Sequence, residues 1–409
     1  MRRVVITGIG VVSPIGTGKD EFWKNVTNGV NGISEITQFD TTDYKVKIAA
    51  EIKNFNPEEF IDKKVAKRQD RFTQFAVAST ALAKLDSQID FSIYDPYRCG
   101  IIFGSGIGGL YTMETEHTKL SEKGPGRVSP FYIPMMISNM AAGAISMQFG
   151  LKGVSYAPVT ACASSTHAIG EAFRSIKHGY IDCAVAGGSE ATITPIAVAG
   201  FTNMQALSQA TDLNRASIPF DKERSGFVMG EGACSLILEE YEGAKKRGAN
   251  IYAEIKGYGA TSDAYHMTSP DPEGKGAAKA MELAFSESND PLENLNYINA
   301  HGTATPLNDK FETIAIKAAF SDHAYKLMVS STKSMTGHML GAAGAIEAAA
   351  CALAIKNGIV PPTINYKEKD EELDLDYVPN TARKAEIKGA ISNSLGFGGH
   401  NASLYIAKI

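Results

Sequence analysis

Apolar residues recur along this chain in two rhythms. Short continuous runs, Val4-Val5-Ile6, Cys99–Phe103, Cys183–Ala186 and Cys234–Leu238, are bounded by glycine or polar turns, as in strands buried on both faces. Longer stretches carry the helical period. Thr17–Asn28 predicts a helix, with Thr17 and Asp20 placed as a capping box and Gly29 beyond its end. Phe72–Leu85 predicts a second, and residues 131–150 a third that Pro134 opens. A fourth starts near Cys162 and runs to Gly179, and a Lys/Arg/Glu-rich helix ends at Gly248.

From Ile251 the order of elements begins again. The stretch SSTKSMTGHMLGAAGAIEAA, 330–349, runs like VTACASSTHAIGEAF from 159: a strand, a short polar turn, then a small-residue helix. HNASLYIAKI, 400–409, echoes GACSLILEE, 232–240. The chain therefore reads as two βαβα halves, 1–250 and 251–409, with sheets buried under helices. Packed face to face they make a five-layered αβαβα sandwich, with corresponding loops converging at one end.

A chain of 409 residues is too long for one simple core, which agrees with a duplicated fold. Its formal net charge of −5 gives no global pull toward nucleic acid or an anionic membrane. An acidic partner must be met locally. IDKKVAKRQDRFTQF, 61–75, places Lys64, Lys67, Arg68 and Arg71 on one helical face, with Lys63 beside them. That face is either plainly solvated or a docking patch. The five cysteines, Cys99, Cys162, Cys183, Cys234 and Cys351, form no CxxC and no metal spacing, which fits free thiols in a reducing cytoplasm. Neither a signal peptide nor a membrane-spanning apolar run is expected.

The chemistry concentrates in a few places. Cys162 stands where a strand gives way to a helix, and unpaired N–H groups there favour a thiolate. A buried core cysteine is the alternative. His301, in YINAHGTATPLND, and His338, in SSTKSMTGHMLGAAG, each follow a buried strand and complete a constellation with Cys162. GSGIGG, 104–109, matches G-x-G-x-x-G after a strand, which suggests a dinucleotide. A tight glycine loop allowing close backbone approach is the competing meaning.

VVITGIG, TACASS, NAHGTATPLND, KSMTGHMLGAAGAIEA and NSLGFGGHN occur in this order. With them the chain resembles the β-ketoacyl-[acyl-carrier-protein] synthases, thiolase-like condensing enzymes, and among these the elongating synthase II type. The resemblance implies that Cys162 is acylated and that His301 and His338 bind a malonyl thioester. Loss of CO₂ leaves a carbanion that attacks the acyl group, extending a fatty acid without metal or redox cofactor. It implies an oxyanion hole from the Cys162 and Phe397 N–H groups. Lys333 sets the local field, and Glu347 joins Asn299, Ser392 and Asn393 in a buried network around a possible monovalent cation. Thr303 and Thr305 hold a pantetheine arm, Phe201 and Phe397 gate the tunnel, and Ile107 bounds its depth. The methionine-rich 131–150 is either a core or subunit-interface helix or the wall of an acyl-chain tunnel. Lys63, Lys64, Lys67, Arg68, Arg71 and Arg127 dock the acyl carrier protein, and the enzyme is expected to be a cytoplasmic homodimer.

The chain departs from the family pattern at Ala304, where a serine is common, at Leu395, often aromatic, and at Gly126 and Gln205, often basic. Three other readings compete. A polyketide-type synthase shares the mechanism. A catalytically silent chain-length partner usually lacks the cysteine. A dinucleotide oxidoreductase rests on GSGIGG alone.

Overall fold

The computed structural model describes residues 1–409. The principal sheet has eleven strands, a two-residue one, Gly16–Thr17, pairing only with the end of the first; the other ten are β1 (Val4–Ser13), β2 (Cys99–Gly104), β3 (Ser155–Tyr156), β4 (Cys183–Glu190), β5 (Gly232–Glu240), β6 (Ala253–Ser262), β7 (Leu295–Asn299), β8 (Met328–Ser330), β9 (Gly389–Gly396) and β10 (His400–Ala407). They lie in the order β8-β7-β9-β10-β6-β1-β5-β4-β2-β3. The first half is thus β1-β5-β4-β2-β3 and the second β6-β10-β9-β7-β8, the same order twice. The halves join where Val4–Ile6 pairs antiparallel with Ala253–Ile255.

Six helices cover these strands: α1 (Arg71–Ser87), α2 (Met140–Phe149), α3 (Ser164–Lys177), α4 (Lys275–Ser286), α5 (Pro306–Phe320) and α6 (Ala343–Asn357). Because side chains alternate across a strand, each half-sheet feeds two cores. Ile101, Phe103, Val185 and Ile237 face outward and pack with α1 and α2. Ile102, Ala184, Ala186 and Leu236 face inward to α3 and α6. In the second half Ala390, Leu404 and Ile406 face the same two helices, while Ile298, Ile391 and Tyr405 pack outward with α4 and α5. The layers run helix, sheet, helix, sheet, helix: the expected five-layered α/β sandwich.

The middle layer explains the run of small residues in α6. Every residue from Ala343 to Ile355 is buried, so the helix is apolar on all sides rather than amphipathic. Leu340–Asn357 is long and apolar enough to cross a membrane by composition, yet most of it is buried inside the protein. A Cβ at Gly344 would lie 1.8 Å from Thr166 Oγ1, so the two central helices meet where only glycine fits.

Three local expectations need correction. The first helix is Lys19–Thr27, and its backward cap comes from Glu21, which accepts from the Thr17 N–H at 2.9 Å, not from Asp20. Residues 131–150 are not continuous: a short turn, Tyr132–Met136, is separated from α2 by Ile137–Asn139. The basic segment also breaks. A four-residue helix, Lys63–Ala66, ends before Asp70, which caps α1 through the Phe72 N–H and accepts from the Thr112 N–H and hydroxyl. Lys64, Lys67, Arg68 and Arg71 therefore share no helical face. Arg71 instead turns inward, forming two bonds to the buried Glu231 carboxylate (3.0 and 2.8 Å) and one to the Ile52 carbonyl. Its charge is spent within the fold and leaves the docking set. Arg71→Ala takes the only guanidinium from the buried Glu231, which keeps just the Ile52 N–H and the Gln38 amide, and should lower unfolding free energy by about 3 kcal/mol in denaturant titration. Lys67→Ala should change it by no more than about 0.5 kcal/mol.

Candidate active site

Cys162 lies in a tight 3₁₀ turn, Ala161–Ala163, between β3 and α3. Ala161 has φ of +49°, a left-handed conformation that turns the chain sharply into the helix. Ser164 locks the corner: its hydroxyl accepts from the Thr160 N–H (2.9 Å) and donates to the Ala161 carbonyl (2.7 Å). His167, one turn into α3, braces the same corner, with Nδ1 2.8 Å from the Thr160 hydroxyl.

His301 follows β7. Its N–H and that of Gly302 donate to the two oxygens of Glu312 on α5, both at 2.8 Å. His338 sits between the short helix Lys333–Thr336 and the 3₁₀ turn Leu340–Ala342. Its N–H donates to the Val228 carbonyl at 2.7 Å and its carbonyl accepts from Gly230 at 2.9 Å. Phe227 places its ring edge against the imidazole, centroids 5.2 Å apart. Glu312, Phe227 and the 228–230 strap were missed in the sequence, since nothing in their spacing ties them to the histidines.

The three side chains meet. His338 Nε2 is 3.0 Å from Cys162 Sγ, and ring nitrogens of both histidines and the sulfur all lie within 4.8 Å of one another. The imidazoles stand edge to face, centroids 5.2 Å apart. All three are buried. Burial, then the Lys333 charge, hold both imidazoles well below their ordinary pKa, so they are neutral at physiological pH. The expectation of a lowered thiol pKa fails. Burial pushes Cys162 up to about 12; Lys333 and its own backbone N–H pull the other way, while Glu190 and Glu347 add to the rise. The resting sulfur is a thiol, and a neutral imidazole stands at the distance needed to take its proton.

A cavity of about 400 Å³ opens onto this cluster, lined from both halves. Ile107, Phe201, Thr303, Thr305, Leu395 and Phe397 all border it. The Thr303 and Thr305 hydroxyls are 3.0 Å apart. Gly396 packs so closely that a Cβ there would be 2.7 Å from the Thr160 carbonyl oxygen, which brings Phe397 beside the Cys162 turn. Lys333 and Glu347 form a buried ion pair, and burial pushes the Glu347 carboxyl up to about 7 despite the lysine. Its Oε2, both polar atoms of Asn299 and the Ser392 hydroxyl have no partner. Asn393 does not belong to that set: its amide donates to Glu312 and its oxygen accepts from Ser403.

The GSGIGG loop binds a carboxylate of its own chain. Glu190, at the end of β4, accepts from the Gly106, Ile107 and Gly108 N–H groups and from Ser105. The dinucleotide reading falls with this, because its phosphate seat is filled. Of the basic residues, Lys63, Lys64, Lys67, Arg68 and Arg127 are exposed. Lys63 pairs with Glu58, and the Arg68 guanidinium lies 4.6 Å over the Phe131 ring.

Comparison with known proteins agrees across the chain. Residues 1–244 match the family model "Beta-ketoacyl synthase, N-terminal domain" and residues 252–367 its C-terminal counterpart. A curated 3-oxoacyl-[acyl-carrier-protein] synthase 2 of Staphylococcus aureus is 52% identical over 407 residues, spanning 100% of this chain and 98% of the relative. One from Synechocystis is 50% identical over 408 residues, with the same shares. Among solved structures, the ishigamide ketosynthase/chain length factor superposes with a TM-score of 0.94 at 35% identity, covering 100% and 99% of the two chains. A β-ketoacyl synthase from Burkholderia phymatum gives 0.91 at 34%, covering all of both. With both family models in sequence and relatives matched end to end, the chain belongs to the β-ketoacyl synthase family.

Proposed function

We propose that this enzyme elongates fatty acids by decarboxylative condensation of a malonyl thioester with an acyl group carried on Cys162. The observation that carries the reading is the convergence of one sulfur and two neutral imidazoles, from different halves, in a single cavity. In the first step His338 takes the thiol proton at Nε2 as sulfur attacks the acyl thioester carbonyl. The oxyanion is received by the Cys162 and Phe397 N–H groups. Collapse expels the carrier thiolate, which takes the proton from His338 Nε2 and leaves both imidazoles neutral. In the second step both imidazoles donate to the malonyl thioester oxygen. The carbon–carboxylate bond breaks, CO₂ departs, and the electron pair enters the enolate. The enolate carbon then bonds to the acyl carbon and Cys162 sulfur leaves, giving a β-ketoacyl product. The 50–52% identity to synthase 2 relatives favours fatty-acid elongation over the polyketide alternative, since a solved type II polyketide ketosynthase stands at 34%.

Thr303 and Thr305 suit a pantetheine arm, Phe201 and Phe397 a gate, and Ile107 the cavity floor. The acyl carrier protein docks on Lys63, Lys64, Lys67, Arg68 and Arg127, a reading supported by a solved polyketide ketosynthase in complex with its acyl-carrier protein. A monovalent cation shared by Asn299, Ser392 and Glu347 would satisfy their unpartnered oxygens. A homodimer forms along β3, the sheet edge, where Tyr156 and Val159 are exposed. The halves meet near residue 250, the nucleophile in the first and the histidines in the second. Five free thiols fit a cytoplasmic enzyme.

Intact-mass spectrometry with acyl-carrier substrates should show one acyl adduct on the wild type and none on Cys162→Ala. His301→Ala should keep that adduct while condensation falls by about 10²–10³. An adduct on the alanine variant would remove Cys162 as nucleophile. The electrostatics give a second test. Lys333 lowers both imidazole pKa values, so Lys333→Met raises them, and the acid limb of the malonyl decarboxylation profile should move to higher pH. The same change should slow Cys162 alkylation, because Lys333 also favours the thiolate. Reversing Lys64, Lys67 and Arg68 to Glu should raise KM for carrier-bound substrate with kcat little changed; an unchanged KM would leave that surface merely solvated.

A further inference from the structure

Glu190 is wholly buried and no cationic side chain pairs with it. Its charge is met by dipoles alone. Oε2 accepts from the Gly106 N–H at 2.8 Å and the Gly341 N–H at 3.0 Å. Oε1 accepts from the Ser105 hydroxyl at 3.0 Å and from the Ile107 and Gly108 N–H groups at 3.2 and 3.4 Å. Burial pushes the carboxyl pKa up and these donors pull it down. An unpaired carboxylate in the interior is costly, and an apolar side chain would fill the space at less expense. The carboxylate is therefore to be explained by what it holds.

It holds two loops, one from each half, both bordering the cavity. Ile107 supplies one of the donating amides, and Leu340 precedes Gly341, which supplies another; both side chains line the cavity. The loops approach more closely than any side chain permits. A Cβ at Gly341 would lie 2.2 Å from the Gly106 nitrogen, and one at Gly106 2.8 Å from Glu190 Oε2. Gly106 also lies against the Cys162 turn: the same added Cβ would be 3.3 Å from the Ala161 carbonyl oxygen.

We propose that Glu190 is a positioning residue for acyl-chain selection. Its carboxylate clamps the Ser105–Gly108 loop to the Gly341 turn and so fixes where Ile107 closes the pocket. This rests on the cavity being the acyl site. A charge-assisted bond to an amide is stronger than a neutral one and directional, so the clamp sets loop position to within a fraction of an ångström. Losing it lets the Ile107 loop yield to a longer chain. Short chains, which never press on Ile107, are hardly affected.

The test uses Glu190→Gln, which keeps the volume but turns one acceptor oxygen into a donor, and Glu190→Asp, which keeps the charge on a shorter arm. Acylation of Cys162 is followed by intact mass across saturated acyl-carrier substrates from short to long. The expected result is a shift in the long-to-short preference of about tenfold, the size of effect of one lost charge-assisted bond. In an Ile107→Ala background, Glu190→Gln should add little, because both act on the same boundary. A parallel fall at all lengths, or additive effects with Ile107→Ala, would overturn the proposal and leave Glu190 a plain folding residue. Hydrogen exchange gives a readout independent of turnover. Amides 106–108 and 341 should exchange faster together in the variant while the rest of the chain stays unchanged. Faster exchange everywhere would equally overturn it. If the wild type accepts no acyl group on Cys162, the enzymatic reading falls, and the exchange measurement alone decides whether Glu190 clamps these loops.

Discussion

Removal of water from one seam governs this molecule. The two half-sheets close over α3 and α6, and the groups that carry chemistry sit where that layer ends. Burial there makes the Cys162 thiolate unfavourable by roughly 4 kcal/mol, taking the rise from 9.0 to about 12 at 1.36 kcal/mol per unit. Helix-start dipoles and Lys333 are too weak to reverse it. A neutral base at hydrogen-bond distance is thus a necessity, and the same dryness keeps the bases neutral. The cost to the thiol and the readiness of the imidazoles have one cause.

That seam also dictates composition far from the sulfur. α6 must touch both sheets and α3 at once, so it is built of alanine and glycine, with Glu347 as its one acidic side chain, answered by Lys333. Glu312 and Glu231 repeat the arrangement in other places: a carboxylate enters the interior only to collect backbone N–H groups or a guanidinium. Glu231 joins elements 160 residues apart, and Glu312 holds the His301 turn to the helix that follows it.

The layered fold was legible in the sequence because alternation and helical period are local and because the second half repeats the first. The trio Cys162, His301 and His338 was legible as well, the histidines by the buried strands before them and the cysteine by its place at a helix start. Three things were not. The break at Asp70 was hidden because its evidence, a bond to Thr112, spans forty-two residues. Arg71 looked like surface charge until Glu231 was found beneath it. Glu190 gave no signal, while the glycines it binds suggested a nucleotide. Partners far apart in sequence leave no period to read.

The repeated strand order makes Cys162 and Gly341 counterparts. Each stands second in a 3₁₀ turn whose first residue, Ala161 or Leu340, has φ near +45° to +49°, and each turn feeds a central helix. The strands that end beside them are also equivalent. β4 stops at Glu190, opposite Gly232, and β9 at Gly396, opposite His400. The same corner therefore exists twice. In one copy the neighbouring strand ends in an acid that stoppers the Gly341 amide; in the other it ends in glycine, and the Cys162 amide is left open to a guest. Two substitutions separate the corners: cysteine for glycine in the turn, and glycine for glutamate at the end of the neighbouring strand.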